Sequence, residues 1–170
     1  MPVNLEIKVA LPSHKKVKTI LNDAGAEFKG ILNQKDIYYK APSGLLKMRI
    51  QDTNIELIRY NRNESGDTRW SNYDVIELSG RKVPEFFDGI LTVETVVQKK
   101  RELWLYDNTR VHLDTVKNLG YFLELETLVI AGRKDAQKRF DKMLGMLNLD
   151  FDNQIRASYR NLMLNKAAQE

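Results

Sequence analysis

Apolar and charged residues alternate along much of this 170-residue chain. The pattern is clearest at 110–126, RVHLDTVKNLGYFLELE, where ionisable side chains take every second position on both sides of a turn-like KNLG. Because successive residues of a strand point to opposite faces, this segment predicts a β-hairpin with one apolar face and one ionisable face.

The same alternation predicts eight strands, separated by turn signals such as PSG at 42–44 and NESGD at 63–67. They are expected near 3–9, 34–40, 45–51, 55–61, 70–78, 95–106, 109–116 and 121–131. Apolar residues at helical spacing predict a helix between Ser13, as its N-cap, and Gly25. Further helices are expected at 82–91, 134–147 and 153–164. This order indicates an α+β fold with a large antiparallel sheet.

The polar strand faces carry mainly Lys, Arg, Glu and Asp. One interpretation is an open sheet whose polar face meets water. The alternative is an antiparallel β-barrel that is closed or nearly closed, with helices packed on its apolar outside and ions lining its interior. Such an interior costs several kcal/mol per unpaired charge, so we expect it to be wet and to serve a ligand. Basic side chains suited to phosphate oxygens are Lys8, Lys47, Arg49, Lys99, Arg101 and Arg110. Acidic ones suited to divalent cations are Glu6, Asp114, Glu124 and Glu126.

Composition narrows the class of protein. The apolar fraction of 42% and the charged fraction of 29% are typical of a folded soluble protein, which we expect to form one domain over 1–170. There is no apolar run of about 20 residues and no signal-peptide pattern. The absence of cysteine fits a cytoplasmic location. A net charge of +4 without a dense basic tract favours a small anionic partner over nucleic acid or a membrane, and we expect a monomer or homodimer.

Four segments together resemble the CYTH superfamily, the triphosphate tunnel metalloenzymes that include class IV adenylyl cyclases and thiamine triphosphatases. The segments are NLEIK at 4–8, QKDIYYKAPSGLLKMRI at 34–50, VVQKKREL at 96–103 and the hairpin at 110–126. The resemblance implies an eight-stranded antiparallel β-barrel, the triphosphate tunnel, that binds a triphosphate together with Mg²⁺ or Mn²⁺.

The resemblance also implies roles for individual residues. The residues that it implies bind phosphate are Lys8, Lys47, Arg49, Arg62, Lys99, Arg101 and Arg110. The residues that it implies bind the metal are Glu6, Asp114, Glu124 and Glu126. We expect Glu6, Lys8 and Arg101 to act in catalysis. The chain departs from the family pattern at Asn4, where the family has a glutamate, and at Tyr60, where the family has a lysine. Arg62 is expected to take the place of that lysine.

Several other residues have two interpretations. His112 is either a phosphate donor or general acid, or a structural histidine, and Asp74 and Glu77 are candidate extra acidic ligands. His14 is expected on the surface. Tyr60 and Tyr159 either pack against a base or fill space, and we favour packing. The sequence shows no aromatic platform arranged for stacking a base.

Three functions remain open from the sequence. The first is a metal-dependent phosphohydrolase acting on tripolyphosphate, thiamine triphosphate or a nucleoside triphosphate. The second is a class IV adenylyl cyclase that converts ATP to cyclic AMP and pyrophosphate. The third is a non-catalytic binder of polyphosphate or RNA. We favour the phosphohydrolase, because its chemistry requires only a frame for the triphosphate.

Overall fold

Eight antiparallel strands close into a barrel in the computed structural model, which describes residues 3–62 and 69–170. The side chains of residues 62, 69–71 and 151 lie outside that description, as does the predicted turn at 63–67. The strands are β1 (Val3–Leu11), β2 (Glu27–Tyr39), β3 (Leu45–Gln51), β4 (Asn54–Arg62), β5 (Arg69–Leu78), β6 (Val93–Tyr106), β7 (Thr109–Val116) and β8 (Gly120–Leu128). Around the barrel their order is β1-β5-β4-β3-β2-β6-β7-β8. The predicted closed barrel is therefore confirmed.

The second strand is longer than its sequence pattern predicts. It begins at Glu27 rather than near 34, and its register with β6 shifts between Phe28 and Gly30. Gly30 has φ of 130° there, a conformation that side chains rarely adopt. A bulge of this kind breaks the alternation from which strands are predicted.

Four α-helices are present in residues 3–62 and 69–170: α1 (Lys15–Asp23), α2 (Val83–Asp88), α3 (Arg133–Met146) and α4 (Tyr159–Gln169). The predicted cap at Ser13 is wrong, since His14 holds the N-cap position and makes no side-chain cap bond. The last helix begins at Tyr159 rather than near 153, because a short 3₁₀ turn occupies Phe151–Asn153. Ser158 then caps α4 by accepting a hydrogen bond from the backbone N–H of Asn161 at 3.1 Å. None of the helices in the described part of the chain has the length and apolarity needed to cross a membrane.

The apolar strand faces point outward and are covered by helices. α1 and α3 pack on the outer faces of β1, β7 and β8, and α2 covers the outer faces of β2, β3 and β4. The fully or almost fully buried members of the larger cluster include Leu5, Ile7, Leu21, Val111, Leu113, Leu123, Leu125, Phe140 and Met143. Burying such a side chain contributes about 1.5–3 kcal/mol to the stability of the fold. The hydrophobic core therefore consists of the layer between the barrel and its helices, whereas polar groups occupy the barrel interior.

One end of the barrel is closed by the C-terminal helix. Tyr159, the first residue of α4, packs with the inward-facing Tyr38, Val97 and Phe122. The rings of Tyr159 and Phe122 lie 5.1 Å apart in an edge-to-face arrangement. The interior is therefore a tunnel with an apolar floor.

Candidate active site

The tunnel interior brings the predicted charged residues together. A cavity of about 330 Å³ runs between the inward faces of the strands. It is lined by Glu6, Lys8, Lys47, Arg49, Lys99, Arg101, Arg110, His112, Glu124 and Glu126, among others. Asp114 is fully buried behind this lining. Arg62 belongs to β4, but its side chain lies outside the described part of the structure. The roles assigned to these residues stay predictions, whereas their convergence on one hollow is a property of the fold.

An acidic wall forms where β1, β7 and β8 meet. Glu6 pairs across the strands with Glu126, and His112 pairs with Glu124. His112 Nδ1 lies 3.9 Å from Glu124 Oε1, and its Nε2 lies 3.8 Å from Glu126 Oε2. One ligand atom from each of His112, Glu124 and Glu126 lies within 4.8 Å of the others. These three residues therefore have the spacing of a metal site.

The protonation of this group suits a cation. Burial, assisted by the positive charge of Arg101, lowers the pKa of His112, so its imidazole is neutral and offers a lone pair. Burial alone would raise the pKa of Glu124, but the neighbouring His112 ring and the charge of Arg101 hold it well below its usual value. Two carboxylates and a neutral imidazole fit a divalent ion such as Mn²⁺ or Mg²⁺.

The contacts of Asn4 account for an amide at the position where the family pattern has a glutamate. Its side-chain N–H donates to Glu126 Oε1, which also accepts from Arg110 Nη2 at 2.9 Å. One oxygen of Glu126 is held by these two donors, while the other faces His112. The amide at position 4 therefore orients a predicted metal ligand instead of adding a further carboxylate.

A basic wall forms on β2, β3 and β6 around one buried carboxylate. Asp36 accepts from Arg49 Nε and Nη2, each at 2.9 Å, from Lys99 Nζ at 2.9 Å and from Lys47 Nζ at 3.1 Å. Although burial alone would raise the pKa of Asp36, the charges of Arg49, Lys47 and Lys99 hold it well below its usual value. Asp36 was not predicted as a site residue, although it shares its strand parity with the inward-facing Gln34 and Tyr38.

The two lysines of this wall are easier to deprotonate than ordinary lysines. Burial, reinforced by the neighbouring cations, lowers the pKa of Lys99 to about 7 and that of Lys47 to about 8, while Asp36 partly opposes the shift. The number of positive charges on the basic wall therefore changes near neutral pH.

Asp114 supports Arg101 from behind the cavity. Its two oxygens accept from Arg101 Nε and Nη2, each at 2.7 Å, and the Tyr159 hydroxyl donates to it at 2.7 Å. Arg101 Nη2 also lies 3.8 Å from Glu124 Oε2. Asp114 is predicted to bind metal, yet both its oxygens face Arg101 and it lies outside the His112–Glu124–Glu126 group. Its geometry favours positioning Arg101.

Lys8 lies between the acidic wall and the floor of the tunnel. It pairs across the strands with Glu124, and its Nζ is 3.2 Å from the Ala157 carbonyl oxygen. The same ammonium lies 4.2 Å from the centre of the Tyr159 ring, within cation–π range. Ala157 and the first residue of α4 thereby fix the position of Lys8.

Aromatic residues line one wall of the tunnel, contrary to the expectation from sequence. Tyr60 and Tyr73 are direct cross-strand partners on β4 and β5, and both contact the cavity. Their ring centres lie 6.0 Å apart with an interplanar angle of 40°. The pairing of Tyr60 with Tyr73 was not predicted, because Tyr73 lies on another strand and the pairing is set by the hairpin register.

Two further residues lie away from the tunnel. Asp74 forms an ion pair with Arg59 at 2.6 Å on the exposed outer face, so its assignment as an extra acidic ligand is wrong. His14 is buried rather than on the surface, and its Nε2 lies 3.0 Å from the carbonyl oxygen of Phe122.

Comparison with known proteins gives matches over nearly the whole chain. The family model of the CYTH domain matches residues 3–159. The protein named "Putative adenylate cyclase MJ0240" from Methanocaldococcus jannaschii is 27% identical over 173 residues, covering 94% of this chain and 98% of that protein.

Solved structures share the fold at lower identity. The PH1012 protein from Pyrococcus horikoshii superposes with a TM-score of 0.83 at 22% identity, covering 94% of this chain and 98% of that chain. HpAC1 from Hippeastrum, described as having a dominant triphosphatase activity, gives a TM-score of 0.58 at 15% identity over 86% of this chain and 88% of that chain.

Proposed function

Because the chain belongs to the CYTH domain family, we propose that it is a divalent-metal-dependent phosphohydrolase acting on a triphosphate held in the tunnel. The observation that carries the proposal is the placement of a basic wall opposite an acidic wall inside one closed barrel. A metal–polyphosphate complex requires both, since its phosphate oxygens need cations and its metal needs hard oxygen ligands.

The charge balance of the tunnel favours dependence on a metal. Six positive charges come from Lys8, Lys47, Arg49, Lys99, Arg101 and Arg110, when all are protonated. Six carboxylates oppose them: Glu6, Asp36, Glu56, Asp114, Glu124 and Glu126. The described side chains of the tunnel therefore nearly balance in charge, and a divalent ion on the acidic wall would make this described part of the tunnel positive.

The residues present fit such an ion at His112, Glu124 and Glu126, with Glu6 alongside on β1. A divalent ion held by these residues would supply positive charge to stabilise the phosphoryl-transfer transition state.

The basic residues bind and orient the phosphate chain. Arg49 and Arg101 each present a guanidinium fixed by two hydrogen bonds to a buried carboxylate, Asp36 and Asp114 respectively. Cations held in this way need no rearrangement as charge develops on the phosphate oxygens, which is the condition for electrostatic stabilisation of a transition state.

Hydrolysis then requires a water molecule aligned with the terminal phosphorus. We assign Glu6 to hold that water and accept its proton, because Glu6 lines the cavity next to the acidic wall. The new bond joins the water oxygen to the terminal phosphorus, the bond from that phosphorus to the bridging oxygen breaks, and the bridging oxygen leaves with the diphosphate product. Lys8 and Arg101 stabilise the charge that the leaving oxygen gains. The fold is compatible with this reaction, since HpAC1 shares it and is described as a triphosphatase.

An adenylyl cyclase is the second candidate, and the name of the Methanocaldococcus jannaschii relative favours it. The two reactions differ at the phosphorus that is attacked. Hydrolysis at the terminal phosphorus of ATP gives ADP and phosphate, whereas attack of the 3′-hydroxyl on the first phosphorus gives cyclic AMP and pyrophosphate.

One screen tests the proposal. Tripolyphosphate, thiamine triphosphate and ATP are incubated with the protein and Mg²⁺ or Mn²⁺, and released phosphate and cyclic AMP are measured in parallel. Phosphate release that requires the metal supports the phosphohydrolase. Cyclic AMP with pyrophosphate replaces it with the cyclase, and background release of both products with tight, salt-sensitive binding indicates a non-catalytic binder.

A further inference from the structure

The outer face of the barrel where β2, β6 and β7 meet is exposed to solvent. Two adjoining hollows of about 510 Å³ and 450 Å³ lie there and share the exposed residues Lys100 and Thr115. We call their common lining the outer band. Its exposed residues point away from the tunnel, since along β6 they alternate with the buried, inward-facing Lys99 and Arg101. The outer band is therefore on the opposite side of the barrel wall from the candidate active site.

Lysines from separate parts of the chain converge on the outer band. Lys35 on β2 is the cross-strand partner of Gln98 on β6, and the backbone N–H of Lys117 donates to the carbonyl oxygen of Gln98 at 2.9 Å. Lys100 lies two residues further along β6 on the same face. Because neighbouring strands are about 4.8 Å apart, these three lysines form one cationic patch. The strand register assembles this patch, which is why no basic segment of the sequence predicted it.

The outer band has more positive than negative side chains. Lys15 and Lys18 of α1 line its second hollow, and with the three lysines of the sheet they bring five cations to its outer side. The acidic residues of its described lining are Asp52 and Glu102. Glu102 is already paired with Lys18 at 2.7 Å, whereas the three lysines of the sheet have no acidic partner among the described side chains. An open face with unpaired cations favours an anionic partner.

Apolar side chains lie among these lysines. Ile31 is 47% exposed and Tyr121 is 45% exposed, and both line the second hollow. Along β2, the outward positions give a basic row at Lys35, a second basic row at Asn33 with its partner Lys100, and an apolar row at Ile31. Successive rows are about 7 Å apart, because outward positions recur at every second residue of a strand. The outer band therefore presents charge and apolar surface in a fixed order.

This mixture distinguishes a protein segment from a nucleic acid. Nucleic-acid surfaces use the planar fork of arginine on phosphates and stack bases on successive aromatic rings. The described lining of the outer band has lysines and no arginine, and Tyr121 is its one exposed aromatic residue. Aliphatic surface such as that of Ile31 gives nothing to a phosphate backbone, but it packs against an apolar side chain. The observations therefore favour an acidic protein segment that also carries apolar residues.

We propose that the outer band is a docking surface for an acidic segment of a partner protein. In an extended segment every second side chain points to the same side, about 7 Å from the next. The order acidic, acidic, apolar on that side matches the rows at Lys35, Lys100 and Ile31. Charge complementarity of this kind accelerates the encounter and fixes the register of the bound segment. Docking is independent of the reaction in the tunnel, because it takes place on the outside of the barrel wall.

Charge reversal locates the docking surface. Binding of a fluorescent peptide with the repeat Glu-Ser-Glu-Ser-Leu-Ser to the full chain is measured by fluorescence anisotropy. We expect the double variant Lys100→Glu, Lys117→Glu to bind it at least about tenfold more weakly than the wild type. The matched control Lys134→Glu, Lys138→Glu makes the same change of net charge on exposed positions of α3, and it should change the affinity by less than about twofold. Equal losses in the two variants, or no binding to the wild type, overturn the proposal.

The same assay tests the chemistry of the partner. A peptide with serine in place of leucine should bind the wild type several-fold more weakly, and Ile31→Ser should abolish that preference. Ile130→Ser, at an exposed position outside the band, should keep it. Equal binding of the two peptides by the wild type would mean that charge alone is recognised, which overturns the proposal. Tighter binding of an oligouridine of equal charge would assign the outer band to nucleic acid and overturns it as well.

Turnover of tripolyphosphate is measured separately on the same proteins. None of the substituted residues lines the described part of the tunnel, so the variants should hydrolyse tripolyphosphate at the rate of the wild type. Absence of hydrolysis in every protein would reject the proposed function and leave the peptide comparison decisive. Loss of hydrolysis only in the variant Lys100→Glu, Lys117→Glu would show that the outer band is coupled to the tunnel, which overturns the independence of the two surfaces.

Discussion

The ammonium of Lys99 lies 2.9 Å from the carboxylate of Asp36, on neighbouring strands inside the barrel. Asp36 is fully buried and also accepts from Lys47 and Arg49, so one anion holds three cations in place. The basic wall is therefore an ion cluster with its own counter-anion, and its stability depends on that single carboxylate.

Asp36→Asn should lower the free energy of unfolding by roughly 3–5 kcal/mol, because removing one partner leaves buried charges uncompensated. Tripolyphosphate should stabilise this variant more than it stabilises the wild type, since the ligand then supplies the missing negative charge. Denaturant unfolding with and without the ligand measures both effects. Asp74→Asn is the matched control, because its ion pair with Arg59 is on the exposed outer face and contributes at most about 1 kcal/mol. Equal losses in the two variants would contradict the role of Asp36.

The catalytic efficiency should fall as the pH rises through about 7 to 8. The pKa of Lys99 is lowered to about 7 and that of Lys47 to about 8, so both lose their charge in this window, whereas an ordinary lysine keeps it until about 10. The protonated forms bind phosphate, and kcat/KM reports the free protein. The pH profile of kcat/KM checks this. Lys99→Arg should move the falling limb to higher pH, because an arginine stays charged.

The double variant Glu124→Gln, Glu126→Gln should lose divalent-dependent turnover by at least about a hundredfold, because the charge supplied by the ion is worth several kcal/mol in the transition state. Phosphate release measured against Mn²⁺ concentration gives the result. Circular dichroism should show an intact barrel, and Glu102→Gln, which alters only the outer ion pair with Lys18, should behave as wild type. Normal metal dependence in the double variant would remove these two residues as ligands.

Tyr159→Phe tests the support that α4 gives to the tunnel. The Tyr159 hydroxyl donates to Asp114 at 2.7 Å, and a hydrogen bond to a charged group contributes about 1.5–3 kcal/mol. Thermal or denaturant unfolding should show a loss of that size, while Tyr121→Phe, on the exposed surface, should show almost none. If the two variants are equally stable, the bond to Asp114 has no energetic role.

Strand periodicity predicted most of this fold because it is a local property. The apolar neighbours Met48 and Ile50 indicate that Arg49 lies on the opposite, polar face of its strand. The same argument applies to the other strands of the barrel. Where a bulge intervenes, as at Gly30, the periodicity is lost and the first part of β2 was missed.

Pairings between strands that are distant in the chain leave no periodic pattern in the sequence. Asp36 was missed because its importance depends on Lys99, which is brought beside it by the β2–β6 register. The Tyr60–Tyr73 pair was missed for the same reason, and the burial of His14 depends on a carbonyl of β8. The sequence thus predicted which side chains face inward and left open which of them touch.

The closure of the barrel between β1 and β8 has a consequence for how the protein folds. Asn4 and Glu126 are hydrogen-bonded although 122 positions separate them in the chain, and every contact between these strands is of similar range. Contacts of this kind require the two ends of the barrel sequence to meet, which makes folding slow, on the order of milliseconds to seconds. Glu6 joins His112, Glu124 and Glu126 only in that step. His112, Glu124 and Glu126 lie on the local β7–β8 hairpin, so refolding followed by Mn²⁺ binding should show that only the contribution of Glu6 depends on this closure.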